Sequence, residues 1–355
     1  MTVPSSAGAP VTPLFPDQYA ESVAGRVAGP VRIDGGDGDL WIRATPMQGR
    51  GVMGSVLSVI QTGPEGVTVT DPGWPGRDMQ AEVYDPLDGF LRGLGHRLGD
   101  ITTVVATHGH PDHIGVVGPL AEITGARLVL GEVEQASIDA ARDGTSVDDY
   151  TVDPTEVGAP AGLLEPVLAQ QTPDAAASFL PRQRPDELLE DAARIGSFEV
   201  VLTPGHTPGH LCLVDRTAEI LLAADQVLPV VHPGIGLGIG ELGGNPVDSY
   251  LASLDRLAEF DGYRVIPGHG FVFTGLRARR LETAEHVLSR ADEVAGVLEW
   301  DPSVSVWDLA SRLHWSGGWE KLRASQLLVS SLRQTMMYRD LVLTDRLVHW
   351  RRVFG

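Results

Sequence analysis

The sequence predicts an α/β fold with a helical insertion and a helical C-terminal extension. Three observations point there. Short β-branched runs punctuated by glycine recur, at close spacing, up to about residue 275. Several of the later runs end in turns made of Gly, Pro and His. Beyond Leu276 the strand rhythm stops and helical periodicity takes over.

In chain order, residues 1–25 are expected as a flexible arm. Met1 to Pro16 is rich in Pro, Ser, Ala and Thr and lacks both the basic and the apolar region of a secretory signal. Residues 26–275 are expected as the catalytic domain. Strands are predicted at Leu40–Ala44, Ser55–Ile60 and Gly66–Thr70, a helix over Ala81–Leu94, then a strand over Ile101–Ala106. A helix over Gly115–Thr124 and a strand over Ala126–Leu130 follow. From about 132 to 194 strand propensity falls. That stretch reads as a helical lid, with short helical runs at Pro160–Gln170 and Pro185–Arg194. Strands return at Phe198–Leu202, Leu211–Asp215, Glu219–Ala223 and Arg264–Ile266, with a helix over Pro246–Phe260. Residues 276–355 form the C-terminal domain, with helices over Ala278–Glu299, Val306–Leu313 and Ala324–Asp340.

Composition narrows the function classes. The 355 residues are 43% apolar and 21% charged, the balance of an ordinary globular protein. Cys212 is the only cysteine, so no intrachain disulfide framework exists, and a reducing, cytoplasmic setting is expected. A net charge of −20, from 47 acidic against 27 basic residues, makes nucleic acid an unlikely partner. No apolar run is long enough for a bilayer, so no membrane partner is expected. A homodimer is left open.

The chemistry concentrates in one loop. Thr107-His108-Gly109-His110-Pro111-Asp112-His113 packs three imidazoles and a carboxylate behind a strand. Such a cluster is costly to bury unless it binds a cation. His108 and His110, one residue apart in extended chain, project to the same side, while Asp112 and His113 follow where the chain turns. His206, Asp225 and His269 each sit just past a later strand, in or beside turns set by Gly and Pro. Seven donors are too many for one tetrahedral zinc but suit two ions. The division is His108, His110 and His206 on one ion, Asp112, His113 and His269 on the other, with Asp225 bridging. Imidazole and carboxylate donors favour zinc, with iron or manganese as alternatives.

The Thr-His-x-His-x-Asp-His loop, with His206, Asp225 and His269, resembles the metallo-β-lactamase superfamily over roughly residues 30–275. The resemblance implies an αββα four-layer sandwich. It also implies that Asp71, in Thr70-Asp71-Pro72-Gly73, supports a ligating histidine from behind. The Thr203–His210 segment is similar to the thioesterase and hydroxyacylglutathione hydrolase branch, and the tail loosely resembles the winged-helix-like tail of the endoribonuclease branch.

The implied activity is metal-dependent hydrolysis of a small acyl substrate (thioester, ester or lactone) by hydroxide bridging two ions. Asp112 and Asp225 orient the nucleophile and relay its proton. His232, Trp74 and His210 are candidate pocket residues. The competing readings are a phosphodiesterase or ribonuclease of the same fold, a mononuclear-iron enzyme like the persulfide dioxygenases, and a non-catalytic binding module.

Overall fold

A computed structural model describes residues 10–36, 38–47, 51–169 and 179–355. The aliphatic and β-branched runs become two seven-stranded sheets. β1 (Thr12–Pro13) belongs to one sheet. The other is built in sequence order from β2 (Val31–Gly35), β3 (Gly38–Pro46), β4 (Ser55–Gly63), β5 (Gly66–Thr70), β6 (Ile101–Val105), β7 (Arg127–Gly131) and β8 (Glu187–Leu189). The first sheet is completed by β9 (Arg194–Ile195), β10 (Phe198–Leu202), β11 (Leu211–Asp215), β12 (Ile220–Ala224), β13 (Arg264–Pro267) and β14 (Phe273–Thr274). Its order is β1-β14-β13-β12-β11-β10-β9.

The sheets meet face to face. Ile42, Leu57, Val59, Val105 and Val129 from one pack with Val200, Leu211, Leu213 and Ile266 from the other. Each such side chain, fully buried, contributes about 1.5–3 kcal/mol. A one-residue register slip would turn a strand's whole set outward, so the register is fixed. Leu87, Leu91 and Leu120 cover the outer face of the β2–β8 sheet from helices Asp85–Gly93 and Val117–Thr124. The opposite outer face carries Val201, Cys212, Val214 and Leu221, covered by helices Pro246–Arg256 and Leu276–Trp300 and by Met337. The result is two mixed sheets between helical layers, with a C-terminal helical region added to one side. β5, β6 and β7 run parallel, as do β12 and β13, and loops at the carboxyl ends of parallel strands are where such sheets place their chemistry.

Four expectations need correction. The arm is docked from residue 10 onward: Thr12–Pro13 pairs with Phe273–Thr274, and a helix spans Pro16–Val23. Pro16 starts that helix, where its missing N–H costs nothing, and buried Gln18 accepts from Val272 N at 2.9 Å. Residues 1–9 lie outside the described residues. The helical run at Pro185–Arg194 is instead β8, because Leu188 (45% exposed) and Leu189 (2%) alternate with period two beside β7. The remainder of the expected lid holds a helix over Glu132–Asp143 and one turn at Glu165–Leu168, while part of the Pro160–Gln170 run lies outside the described residues. Val152, Val157 and Leu164 pack on Val306, Trp307, Leu328 and Leu332, so this segment rests on the tail. The tail itself has five helices and no strand, hence no wing. Among the described residues no helix is long and apolar enough to cross a membrane.

Candidate metal centre

The residue partners fix the ring orientation of five histidines. His110 Nε2 donates to Leu237 O at 3.0 Å, and His206 Nδ1 donates to Gly234 O at 2.7 Å. Thr107 Oγ1 gives its proton to Asp71 Oδ2 (2.7 Å), so it accepts from His108 Nδ1 at 3.0 Å. The bare nitrogens left over face one another: His110 Nδ1 lies 3.1 Å from His108 Nε2 and 3.0 Å from His206 Nε2. His113 Nδ1 donates to Asp71 Oδ2 and His269 Nδ1 to Ser55 O, each at 2.8 Å. Their Nε2 atoms, together with Asp225 Oδ1, are buried without a hydrogen-bond partner.

Lone pairs crowded together and left dry are costly unless a cation joins them. The donors fall into two sets, His108, His110, His206 and Asp225, and Asp112, His113 and His269, with the offered atoms of each set within 4.8 Å. Asp225 lies between the sets: its Oδ2 is 3.6 Å from His206 Nε2 and 3.5 Å from His269 Nε2, and its Oδ1 is 3.6 Å from His113 Nε2. The residues fit a pair of divalent ions.

Electrostatics separate the sets. Burial, joined by neighbouring imidazoles, holds His108 well below the usual histidine range and pushes His206 down to about 4. For His113 burial also opposes charge, but the Asp71, Asp112 and Asp225 carboxylates outweigh it and raise the ring to about 9. Burial likewise disfavours an ionised Asp112, yet His113 and His269 hold it down at about 2. In the metal-free chain, charged His113 therefore stabilises the fold fully below its ordinary 6.5, and that contribution is lost as pH rises through about 9. The melting temperature of the metal-free chain is expected to fall between those pH values. A flat profile in a thermal-melt series would contradict this arrangement.

Backbone geometry launches the side chains. Pro111 opens the Pro111–Ile114 helix that carries Asp112 and His113. Asp71 (φ +51°) and Ala224 (φ +42°) are left-handed without being glycine, a strain tolerated where surrounding structure dictates the conformation. Asp71 N donates to Val105 O and its carboxylate accepts from Thr107 N, which ties β5 to the histidine loop.

The weaker pocket candidates separate. His210 is fully buried. Its Nε2 accepts from Asp225 N (3.2 Å) and its Nδ1 therefore donates to Thr203 Oγ1 (2.8 Å). It positions Asp225 from beneath the site. His232 stacks on His286 at 4.0 Å in the wall of a cavity of about 670 Å³. Trp74 is half-buried beyond the Asp71 turn.

Two contributors escape the sequence reading. Glu134, 1% exposed, accepts from Gly109 N (2.7 Å), Thr207 Oγ1 (2.8 Å) and Gly209 N (2.8 Å), joining the loops of His108 and His206. Its place in the first turn of the Glu132–Asp143 helix is the only signal it leaves in the sequence. In the glycine-rich loop from Gly234, backbone carbonyls orient His206 and His110.

The metallo-beta-lactamase superfamily model matches residues 50–269. The chain belongs to that superfamily. A "Probable metallo-hydrolase YflN" of Bacillus subtilis is 25% identical over 193 residues, covering 50% of this chain and 68% of the relative. An "Acyl-coenzyme A thioesterase MBLAC2" of Gallus gallus is 33% identical over 120 residues, covering 32% of this chain and only 40% of that protein. Two solved structures share the fold. The metallo-beta-lactamase family protein TTHA1429 of Thermus thermophilus has a TM-score of 0.66 at 24% identity, covering 86% of this chain and 94% of that one. A beta-lactamase domain protein of Burkholderia ambifaria has a TM-score of 0.68 at 21% identity, covering 94% and 93%. Family and donor geometry together make the chain a metal-dependent hydrolase with a dinuclear-type site.

Proposed function

We propose that the chain is a cytoplasmic dizinc hydrolase of small acyl thioesters. The observation that carries the reading is the set of five ring lone pairs and two carboxylates aimed at two adjoining points. Bound there, two divalent ions supply Lewis acidity and lower the pKa of water. Asp112 and Asp225, kept ionised by the surrounding imidazoles, orient the attacking water and take its proton at a carboxylate oxygen.

The leaving group favours a thioester. Each of the five donor rings spends its one N–H on a fixed partner, so a departing alkoxide would depend on the proton that a carboxylate took from water. A thiolate, with a pKa of about 8.5, departs without that help. Similarity to the avian acyl-coenzyme A thioesterase agrees with this preference. Two cavities of about 670 and 380 Å³ flank the loop that backs His110 and His206, and the tail walls both.

The test is elemental analysis followed by a substrate panel. About two zinc equivalents per chain and release of free thiol from acyl-coenzyme A thioesters are expected, in preference to lactones. Cys212 is fully buried and its thiol is pushed up to about 12 by burial, so a thiol reagent reads product and not protein. Cleavage of phosphodiesters alone, or one iron with oxygen uptake, would overturn the proposal.

A further inference from the structure

The C-terminal helix Leu328–Leu343 supplies no donor atom to the metal centre, yet it grips the loop that orients two of the donors. Gly234 O fixes His206 and Leu237 O fixes His110, both in the first donor set. The helix holds this loop along its length. Gln334 Nε2 reaches Ile235 O at 3.4 Å. Gly236, at φ +68°, lies so close to Met337 that a Cβ there would collide with the thioether methyl. Arg333 Nη2 donates to Glu241 Oε1 at 2.6 Å, and its Nη1 donates to Asp148 Oδ2 at 2.5 Å. Asn245 Nδ2 closes the far end on Met337 O and Asp340 Oδ2, each at 2.9 Å.

The second donor set is anchored elsewhere. His113 leans on Asp71, just past β5, and His269 on Ser55 O, at the start of β4. Neither anchor belongs to the tail. We propose that Arg333 is a positioning residue that keeps the His108–His110–His206 set in register, while the Asp112–His113–His269 set stands independently of the tail. The inference rests on the metal-centre reading above. Its physical basis is that partners behind a ligand set its orientation, and losing them lowers metal affinity about 10–100-fold. Arg333 is charged, four-fifths buried, and paired with two carboxylates at once, so its removal loosens the loop at Glu241 and strands both acids.

The experiment uses the full chain, stripped of metal, then titrated with cobalt and separately reloaded with zinc for elemental analysis. Arg333→Met is expected to retain about one equivalent after dialysis, the other binding at least about tenfold more weakly. His269→Ala also retains one equivalent, but at the opposite set, so the double variant retains none. Arg333→Lys recovers part of the lost affinity. Should Arg333→Met fail to fold by circular dichroism, Glu241→Leu removes the acceptor of the same pair from the loop side and carries the same expectation. Two equivalents held at wild-type affinity, equal loss from both sets, or one equivalent surviving in the double variant overturns the inference. A wild-type chain that takes up no metal refutes the metal-centre reading instead.

Discussion

Gly268→Ala is expected to leave the fold intact and to cut hydrolytic turnover at least about a hundredfold, the scale on which small misplacements act. A Cβ at this position would overlap Asp225 Oδ1 and come within 2.9 Å of His113 Cε1. A Cβ would also stand 3.2 Å from the Ala224 carbonyl carbon, a tight but smaller conflict. Gly268 N donates to Ala224 O and Gly268 O accepts from Leu57 N, both at 2.7 Å, and Gly268 is not among the glycines with positive φ. The methyl group therefore displaces the bridging carboxylate, the side chain placed between both donor sets. Elemental analysis should show fewer than two equivalents beside an unchanged circular dichroism spectrum. Wild-type turnover with full metal content would remove Asp225 from the bridging position.

The second large effect falls on stability. Glu134→Ala leaves three donors (Gly109 N, Thr207 Oγ1 and Gly209 N) without their acceptor in a site closed to water. At about 1–3 kcal/mol for each stranded group, the loss is about 3–9 kcal/mol, a large fraction of a typical folding free energy. Burial pushes the Glu134 carboxyl up, while the donors that bind it pull down. Glu134→Gln preserves volume but turns one oxygen into an N–H donor facing donors, so it too is expected to destabilise, by less. Urea denaturation reads both. If the glutamine variant equals wild type, Glu134 does not hold the two loops together.

Much of the centre is legible in the sequence because side-chain donors leave a written trace. Three imidazoles and a carboxylate in one loop cannot be mistaken for core, and Gly and Pro beside His206 and His269 mark turns that follow strands. What escapes is what leaves none. A backbone carbonyl has no residue type, so Gly234 and Leu237 cannot be distinguished from any other loop residue. Glu134 differs from Glu132 only in three dimensions, one being buried and the other exposed on the same first helical turn. Arg333 acts across 92 residues of sequence separation from Glu241, beyond any local pattern. β8 reads as helix because three residues just after Pro181 and Pro185 give too short a period to separate strand from helix.

The two donor sets have one topological property in common. His108, His110, Asp112 and His113 leave the β2–β8 sheet after β6, whereas His206, Asp225 and His269 leave the opposite sheet after β10, β12 and β13. Each set draws from both halves of the sandwich. Every ion seated there would act as a rivet driven through the rim of two plates, so prising the plates apart first means pulling the rivets. Cohesion and chemistry in this molecule are thereby fastened at the same spot.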